Sequence, residues 1–223
     1  MDSDRMTPER WDHTSSYIRT LFAREDEHQR GLMERAAAAG LPRIDAGPET
    51  GRLLQMLVAL TGGRLAIEVG TLAGASTIWM ARGLRAGGKV ITVELSEKHA
   101  SFARREMDGA GVGDRVTIRQ GRGLEVLPVL LRELGAGSAD LVFLDAERSE
   151  YPALVDPVHA LLHSGGVLAV DNALAAKKWT ADPVAPGEEP DPMDSLNRLV
   201  SGDARFMSTL LPVGNGVLVG VKV

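Results

Sequence analysis

Leu65-Ala66-Ile67-Glu68-Val69-Gly70 decides how the chain is organised. A short apolar run closed by glycine reads as a strand, and a helical stripe (Ile78, Ala81, Leu84) follows it. The same rhythm then repeats. Val90-Ile91-Thr92-Val93 ends at Glu94, and Ser96 can N-cap a helix striped by Ala100, Ala103, Met107 and Ala110. Val116-Thr117-Ile118 leads to Gly121 and a helix through Leu127, Leu130, Leu131 and Leu134, where Pro128 predicts a kink or a late start. Leu141-Val142-Phe143-Leu144 ends at Asp145, and the next helix carries Tyr151, Leu154, Val155, Val158, Leu161 and Leu162. Val167-Leu168-Ala169-Val170 ends at Asp171. Five strands alternating with helices imply an α/β fold, a parallel sheet covered on both faces.

Upstream, residues 11–40 read as two amphipathic helices, one through Ile18, Leu21 and Phe22, the other through Leu32, Met33, Ala36 and Ala37. A third carries Leu53, Met56, Leu57 and Leu60 and stops at Gly62-Gly63. Downstream, residues 206–213 and 217–223 flank Gly214-Asn215-Gly216, which predicts a closing antiparallel pair. Residues 182–192 hold four prolines and four acids in eleven positions, so they are expected to form an irregular lid or mobile segment. With neither repeat nor linker, residues 1–223 read as one domain, a helical cap (1–62) on an α/β core (63–223).

Composition sets bounds. Lys+Arg 25 against Asp+Glu 30 gives a net charge of −5, so no net basic field draws the chain to nucleic acid. The absence of cysteine excludes disulfides, Cys-ligated metals and thiol nucleophiles, and fits a cytoplasmic protein. Charges throughout the first 30 residues speak against a signal peptide, and no run approaches the ~20 apolar residues of a membrane span.

Glu68, Glu94, Asp145 and Asp171 each fall at or beside the C-terminal end of a predicted parallel strand, the edge where open α/β sheets bind ligands. Carboxylates crowded on one rim call for a cationic or donor-rich partner. The first turn lacks the G-x-G-x-x-G of dinucleotide sites, and Glu68 beside it would oppose a phosphate. S-adenosylmethionine, with an ammonium, a sulfonium and a ribose but no phosphate, suits these acids better, although Gly70 and Gly74 alone would also serve tight packing. Asp171-Asn172 facing Asp145 offers three hard oxygens suited to Mg²⁺, Mn²⁺ or Ca²⁺ rather than zinc, and Asp-Asn is equally a turn former. His159 and His163 form an H-x-x-x-H pair on the predicted helix without a third ligand, and read as boundary residues; His13, His28 and His99 read as helix-surface positions.

These residues resemble the cation-dependent class I methyltransferases, the catechol and caffeoyl-CoA O-methyltransferases and their bacterial relatives. The likeness spans about residues 11–223. It lies in Pro48-Glu49-Thr50-Gly51-Arg52-Leu53-Leu54, in Ile67-Glu68-Val69-Gly70-Thr71 with Gly74 and Ser76-Thr77, and in Val93-Glu94. It continues through Val142-Phe143-Leu144-Asp145-Ala146 with Tyr151, Gly165-Gly166 to Asp171-Asn172, and Pro212-Val213-Gly214-Asn215-Gly216.

The resemblance implies a Rossmann-like seven-stranded sheet with the last strand antiparallel, extra N-terminal helices, and a homodimer. By likeness Glu68, Gly70 and Ser76, with Thr71 of the same turn, line the methionine portion of S-adenosylmethionine. Glu94 takes the ribose and the stretch from Gly121 to Gly123 meets the adenine. Asp145, Asp171 and Asn172 hold a divalent cation, magnesium by expectation, with Asp145 also near the cofactor. The implied reaction moves a methyl group in line to a hydroxyl of a small catechol-like or phenolic acceptor, which the cation helps to ionise.

Family members commonly carry Asp-Ala-Asp-Lys where this chain has Asp145-Ala146-Glu147-Arg148. Arginine stays protonated and cannot replace lysine as the base. Arg148 then either stabilises the oxyanion, serves an acceptor already anionic, marks weak activity, or pairs with Glu147 or Glu150. The rival functions are methylation of a hydroxylated RNA base, for which Lys177-Lys178 and Arg205 offer a local basic patch, and a cofactor-binding protein of weak turnover. Trp11 and Trp179 are the aromatic candidates for an acceptor pocket.

Overall fold

The computed structural model describes residues 7–174, 180, 182, 184, 187–188 and 191–223. Trp179, Lys177-Lys178 and much of the expected lid lie outside the described residues. Helix α1 (Pro8–Leu21) opens on Thr7, whose side chain accepts from the Arg10 N–H, with Pro8 at the first helical position; none of its residues is buried. The single helix expected next is two, α2 (Glu27–Arg30) and α3 (Leu32–Ala38), divided at Gly31. Helix α4 (Gly47–Leu60) buries Thr50, Gly51, Leu54 and Val58. It packs closely on α5 (Ala75–Gly83), because a Cβ at Gly51 would stand 2.2 Å from Trp79 Cδ1. Met56 and Leu60 of the predicted stripe face outward.

The sheet holds β1 (Leu65–Val69), β2 (Lys89–Glu94), β3 (Val116–Gln120), β4 (Ala139–Leu144), β5 (Leu162–Val170), β6 (Phe206–Leu211) and β7 (Val217–Lys222), in the order β3-β2-β1-β4-β5-β7-β6. Strands β1 to β5 are parallel; β7 runs antiparallel between β5 and β6. The helices α6 (Glu97–Gly109), α7 (Gly123–Leu134), α8 (Tyr151–Leu161) and α9 (Pro192–Gly202) complete it.

Strand periodicity sorts the core into two layers. Ile67, Val69, Val142 and Leu144 meet α7, α8 and α9 through Leu127, Leu154, Val158 and Leu196. Ala66, Leu141 and Phe143 point the other way, toward Ile78, Phe102 and Met107. Each such large side chain, fully buried, contributes about 1.5–3 kcal/mol.

Three expectations change. Helix α7 runs through Pro128 from Gly123, so there is no late start. Helix α9, capped by Asp191 with Pro192 at its first position and burying Met193, Leu196 and Val200, was not foreseen. Strand β5 begins at Leu162, with a register shift that sets Ala139 opposite Leu162 and Leu141 opposite Val167, so His163 lies on a bulge and not on the helix of His159. There its Nε2 meets buried Asp140 at 3.1 Å, while His159 stacks edge-on to Phe206. Among the described residues, no helix is long and apolar enough to cross a membrane.

Candidate active site

Strand order reverses between β1 and β4, which leaves a crevice beyond their C-terminal ends. Backbone bonds continue past the strands there: Asp145 N–H to Val69 C=O at 2.9 Å, Gly70 N–H to Val93 C=O at 3.0 Å, Gly121 N–H to Glu94 C=O at 2.9 Å and Asp171 N–H to Leu144 C=O at 3.1 Å. Gly70 has φ 106° and a Cβ on it would lie 2.0 Å from the Asp145 carbonyl oxygen, so only glycine lets the two turns meet. Above them opens a cavity of about 800 Å³.

On the β1/β2 side the acids are met by the protein's own donors. Glu68 is fully buried and does not reach the cavity. Being last but one in β1, it points off the sheet face beneath α5, where Ser76 (2.5 Å), Thr77 and Thr92 (2.6 Å) donate to it. Burial pushes its pKa up to about 7 against those hydroxyls. Of the residues expected near the methionine portion, Ser76 lines the cavity and Glu68 stands behind it, accepting from the Ser76 hydroxyl.

Glu94, the last residue of β2, does reach the cavity. Its Oε2 accepts from the N–H groups of Thr71 (3.2 Å) and Leu72 (2.8 Å), and its Oε1 accepts from Ser96 N–H (2.9 Å) and lies 3.4 Å from His99 Nδ1. The Thr71 hydroxyl donates to Thr92 at 2.5 Å, because the Thr92 proton already goes to Glu68. With its N–H on Glu94 and its carbonyl accepting from Gly74 N–H at 2.8 Å, Thr71 fixes the turn that borders the cavity. Leu72 is held at φ 46°, a strained conformation for a leucine.

The β4/β5 side is short of donors. Burial pushes the Asp145 pKa up to about 6 and the Asp171 pKa up to about 7, the latter helped by the charge of Asp145; Arg148 opposes both shifts. Asp171 is 4% exposed, and its Oδ1 is buried without a hydrogen-bond partner. Its Oδ2 accepts from the Asn172 amide at 2.8 Å, and Asn172 Oδ1 accepts from Arg148 Nη2 at 3.1 Å. Asn172 sits at φ 61°, so the only two non-glycine residues at positive φ among those described, Leu72 and Asn172, both line this cavity. Tyr151, buried behind the wall, steadies the 146 turn, its hydroxyl accepting from Ala146 N–H at 2.5 Å and donating to the Ala146 carbonyl at 3.2 Å. Glu150, one of the two acids expected beside Arg148, pairs with Arg122, and Arg148 donates to Asn172.

The cavity wall gathers Gly70, Thr71, Ser76, Glu94, Gly121, Gly123, Asp145, Arg148, Asp171 and Asn172, all singled out in the sequence, and leaves Glu68 behind it. It adds Ile44, Asp45, Leu72 and Asn215, which sequence reading missed. Asp45 lies between Pro42 and Pro48, a punctuated segment whose only signal was its prolines. Trp11 stands 40% exposed on α1, outside the wall. Arg205, offered for a basic patch, is paired with Asp203 and Asp156. Among the described residues, no group of three His, Asp or Glu side chains is placed to hold a metal, so any oxygen cage here needs the Asn172 amide as its third member.

A strand-end cavity at the switch point, roofed by a glycine turn with an acid on the second strand, defines a Rossmann-like nucleoside-cofactor enzyme. The O-methyltransferase family pattern matches residues 19–223, and the chain belongs to that family. A catechol O-methyltransferase from Niastella koreensis is 39% identical over 158 residues, 71% of each chain. The O-methyltransferase from Bacillus cereus, solved with S-adenosylhomocysteine, is 33% identical with a TM-score of 0.83, covering 96% of this chain and 99% of that one. TomG from Streptomyces achromogenes, of tomaymycin synthesis and solved with S-adenosylmethionine, is 28% identical with a TM-score of 0.84, covering 98% and 100%. The protein is an S-adenosylmethionine-dependent O-methyltransferase of class I.

Proposed function

We propose that this enzyme methylates one hydroxyl of a small catechol-like or phenolic acceptor, assisted by a divalent cation, magnesium, held by Asp145, Asp171 and Asn172. The observation that carries the reading is the orphaned Asp171 Oδ1, a buried carboxylate oxygen with nothing to accept from, in a cavity wall shared with the half-buried Asp145 and the Asn172 amide. An unpaired buried charge is costly, and hard oxygens of this kind fit a hard cation. The name of the Niastella koreensis relative supports the acceptor class.

S-adenosylmethionine supplies the methyl group on a sulfonium, and a bound divalent cation lowers the pKa of a hydroxyl presented to it. The protein does the positioning. Glu94 would take the ribose while bracing the 71–72 backbone, the turn from Gly121 to Gly123 would border the adenine, and Asp145 would stand between the cofactor and acceptor sides. Arg148 cannot take the proton and instead presents a fixed positive charge beside the oxygen that becomes anionic. The test is turnover of a vicinal dihydroxy aromatic, and of its monohydroxy analogue, with chelator and with Mg²⁺ added back. Activity lost to chelator and restored by Mg²⁺ is expected; equal turnover in chelator removes the cation from the reading.

A homodimer is part of the proposal. Helix α1 buries nothing, and Tyr17, Leu21 and Phe22 stand exposed along it and just past its end. A second copy covering that face would remove this apolar surface from water. Sedimentation at micromolar concentration should give twice the chain mass, and a monomer there would refute it.

A further inference from the structure

The cation reading leaves one residue unaccounted for. Asn172 Oδ1 is already occupied, because the Arg148 guanidinium donates to it at 3.1 Å. The Asn172 amide is satisfied on its other side as well, since its Nδ2 donates to Asp171 Oδ2 at 2.8 Å. Arg148, Asn172 and Asp171 thus form a chain in which the guanidinium holds the amide oxygen and the amide holds one carboxylate oxygen. Only Asp171 Oδ1 is left without a partner. Asn172 is locked in this orientation by its left-handed backbone, which fixes where the side chain leaves the chain. Arg148 itself is anchored by the short turn over Arg148–Glu150, where Glu147 caps Ser149, and so cannot drift far from the cluster.

We infer that Arg148 is a resident counter-cation that competes with a divalent metal for Asn172 and so sets the metal affinity of the site. The inference rests on the cation reading above and deepens it. Two effects act in the same direction. A metal must displace a charge-assisted hydrogen bond to reach the amide oxygen, and it must approach a fixed like charge. Without metal the guanidinium offsets the repulsion between Asp145 and Asp171, so the site does not collapse or demand a permanent ion. The arrangement makes the metal exchangeable, where a cage of unopposed carboxylates would hold it.

The probe is Mn²⁺ alone, titrated against the full chain without cofactor or acceptor and followed by electron paramagnetic resonance of the free ion. Arg148→Ala and Arg148→Gln are compared with the unaltered protein; the glutamine keeps a polar donor on a shorter side chain without the charge. Both variants should bind Mn²⁺ at least about tenfold more tightly, the worth of one charge-assisted hydrogen bond. Adding Asn172→Ala to Arg148→Gln should erase the gain. Mn²⁺ bound equally by the unaltered protein and both Arg148 variants would overturn the inference and leave the cation reading standing. Mn²⁺ bound by none would overturn both. Thermal unfolding of each variant shows that it is folded, and if the alanine variant is not, the glutamine variant carries the comparison.

Discussion

Two halves of one cavity treat their carboxylates in opposite ways. On the β1/β2 side Glu68 receives three hydroxyls and Glu94 three backbone N–H groups, all from the protein. On the β4/β5 side Asp171 has one amide donor and one empty oxygen, and Asp145 sits close enough to raise it further. Self-satisfied acids build a scaffold that shapes a loop. Under-satisfied acids store an electrostatic demand that a ligand can meet. Proximity to the strand ends, common to both pairs, does not distinguish them; the donor count does.

The contrast breaks most sharply at Asp171. Asp171→Ala should cut kcat/KM by about a thousandfold, the loss expected when charge stabilisation at the reacting oxygen goes, while S-adenosylhomocysteine binding by calorimetry holds. Weakened cofactor binding of similar size would merge the two halves into one. Next in size is Gly70→Ala, which forces a Cβ against Asp145 where the halves meet; a loss of about 3 kcal/mol in urea unfolding is expected. Unchanged stability would mean that the two turns can part freely.

Glu94→Ala should raise the Kd of S-adenosylhomocysteine about 10- to 100-fold, and a larger effect on acceptor KM than on cofactor Kd would reverse the assignment of the sides. The smallest effect is a pH slope at Glu68. Burial raises its pKa in the folded state to about 7 from the ordinary 4.5, so between those values the folded chain holds a proton that the unfolded chain has lost. Its contribution to stability is therefore complete below pH 4.5 and falls away as pH rises through 7. Glu68→Gln should remove that contribution, read as a flatter dependence of urea-unfolding stability on pH across that range. A slope that survives in the glutamine variant would belong to Asp145 and Asp171, whose shifts have the same sign.

Much of this was legible in the residues. The strand runs with their closing Gly70, Glu94, Asp145 and Asp171 located the edge, and the alternation of strands with helices placed helices on both faces. What failed did so for local reasons. Glu68 was read as a rim acid because a sequence shows that a residue is near a strand's end, not which way it points; one position of register turns it from cavity to helix. Helix α9 hid behind the prolines of the preceding loop, although Asp191-Pro192 is itself a start signal. His163 looked helical because the bulge in β5 leaves no mark in the pattern. For Arg148, sequence excluded the role of base, but its grip on Asn172 depends on a tertiary meeting of two loops.

Glu94 braces Leu72 in a left-handed conformation that leucine alone does not favour. Positions 72 and 94 are consequently coupled in what they tolerate. Without the carboxylate, glycine or asparagine would suit 72 better than leucine, and with glycine there the turn would depend less on 94.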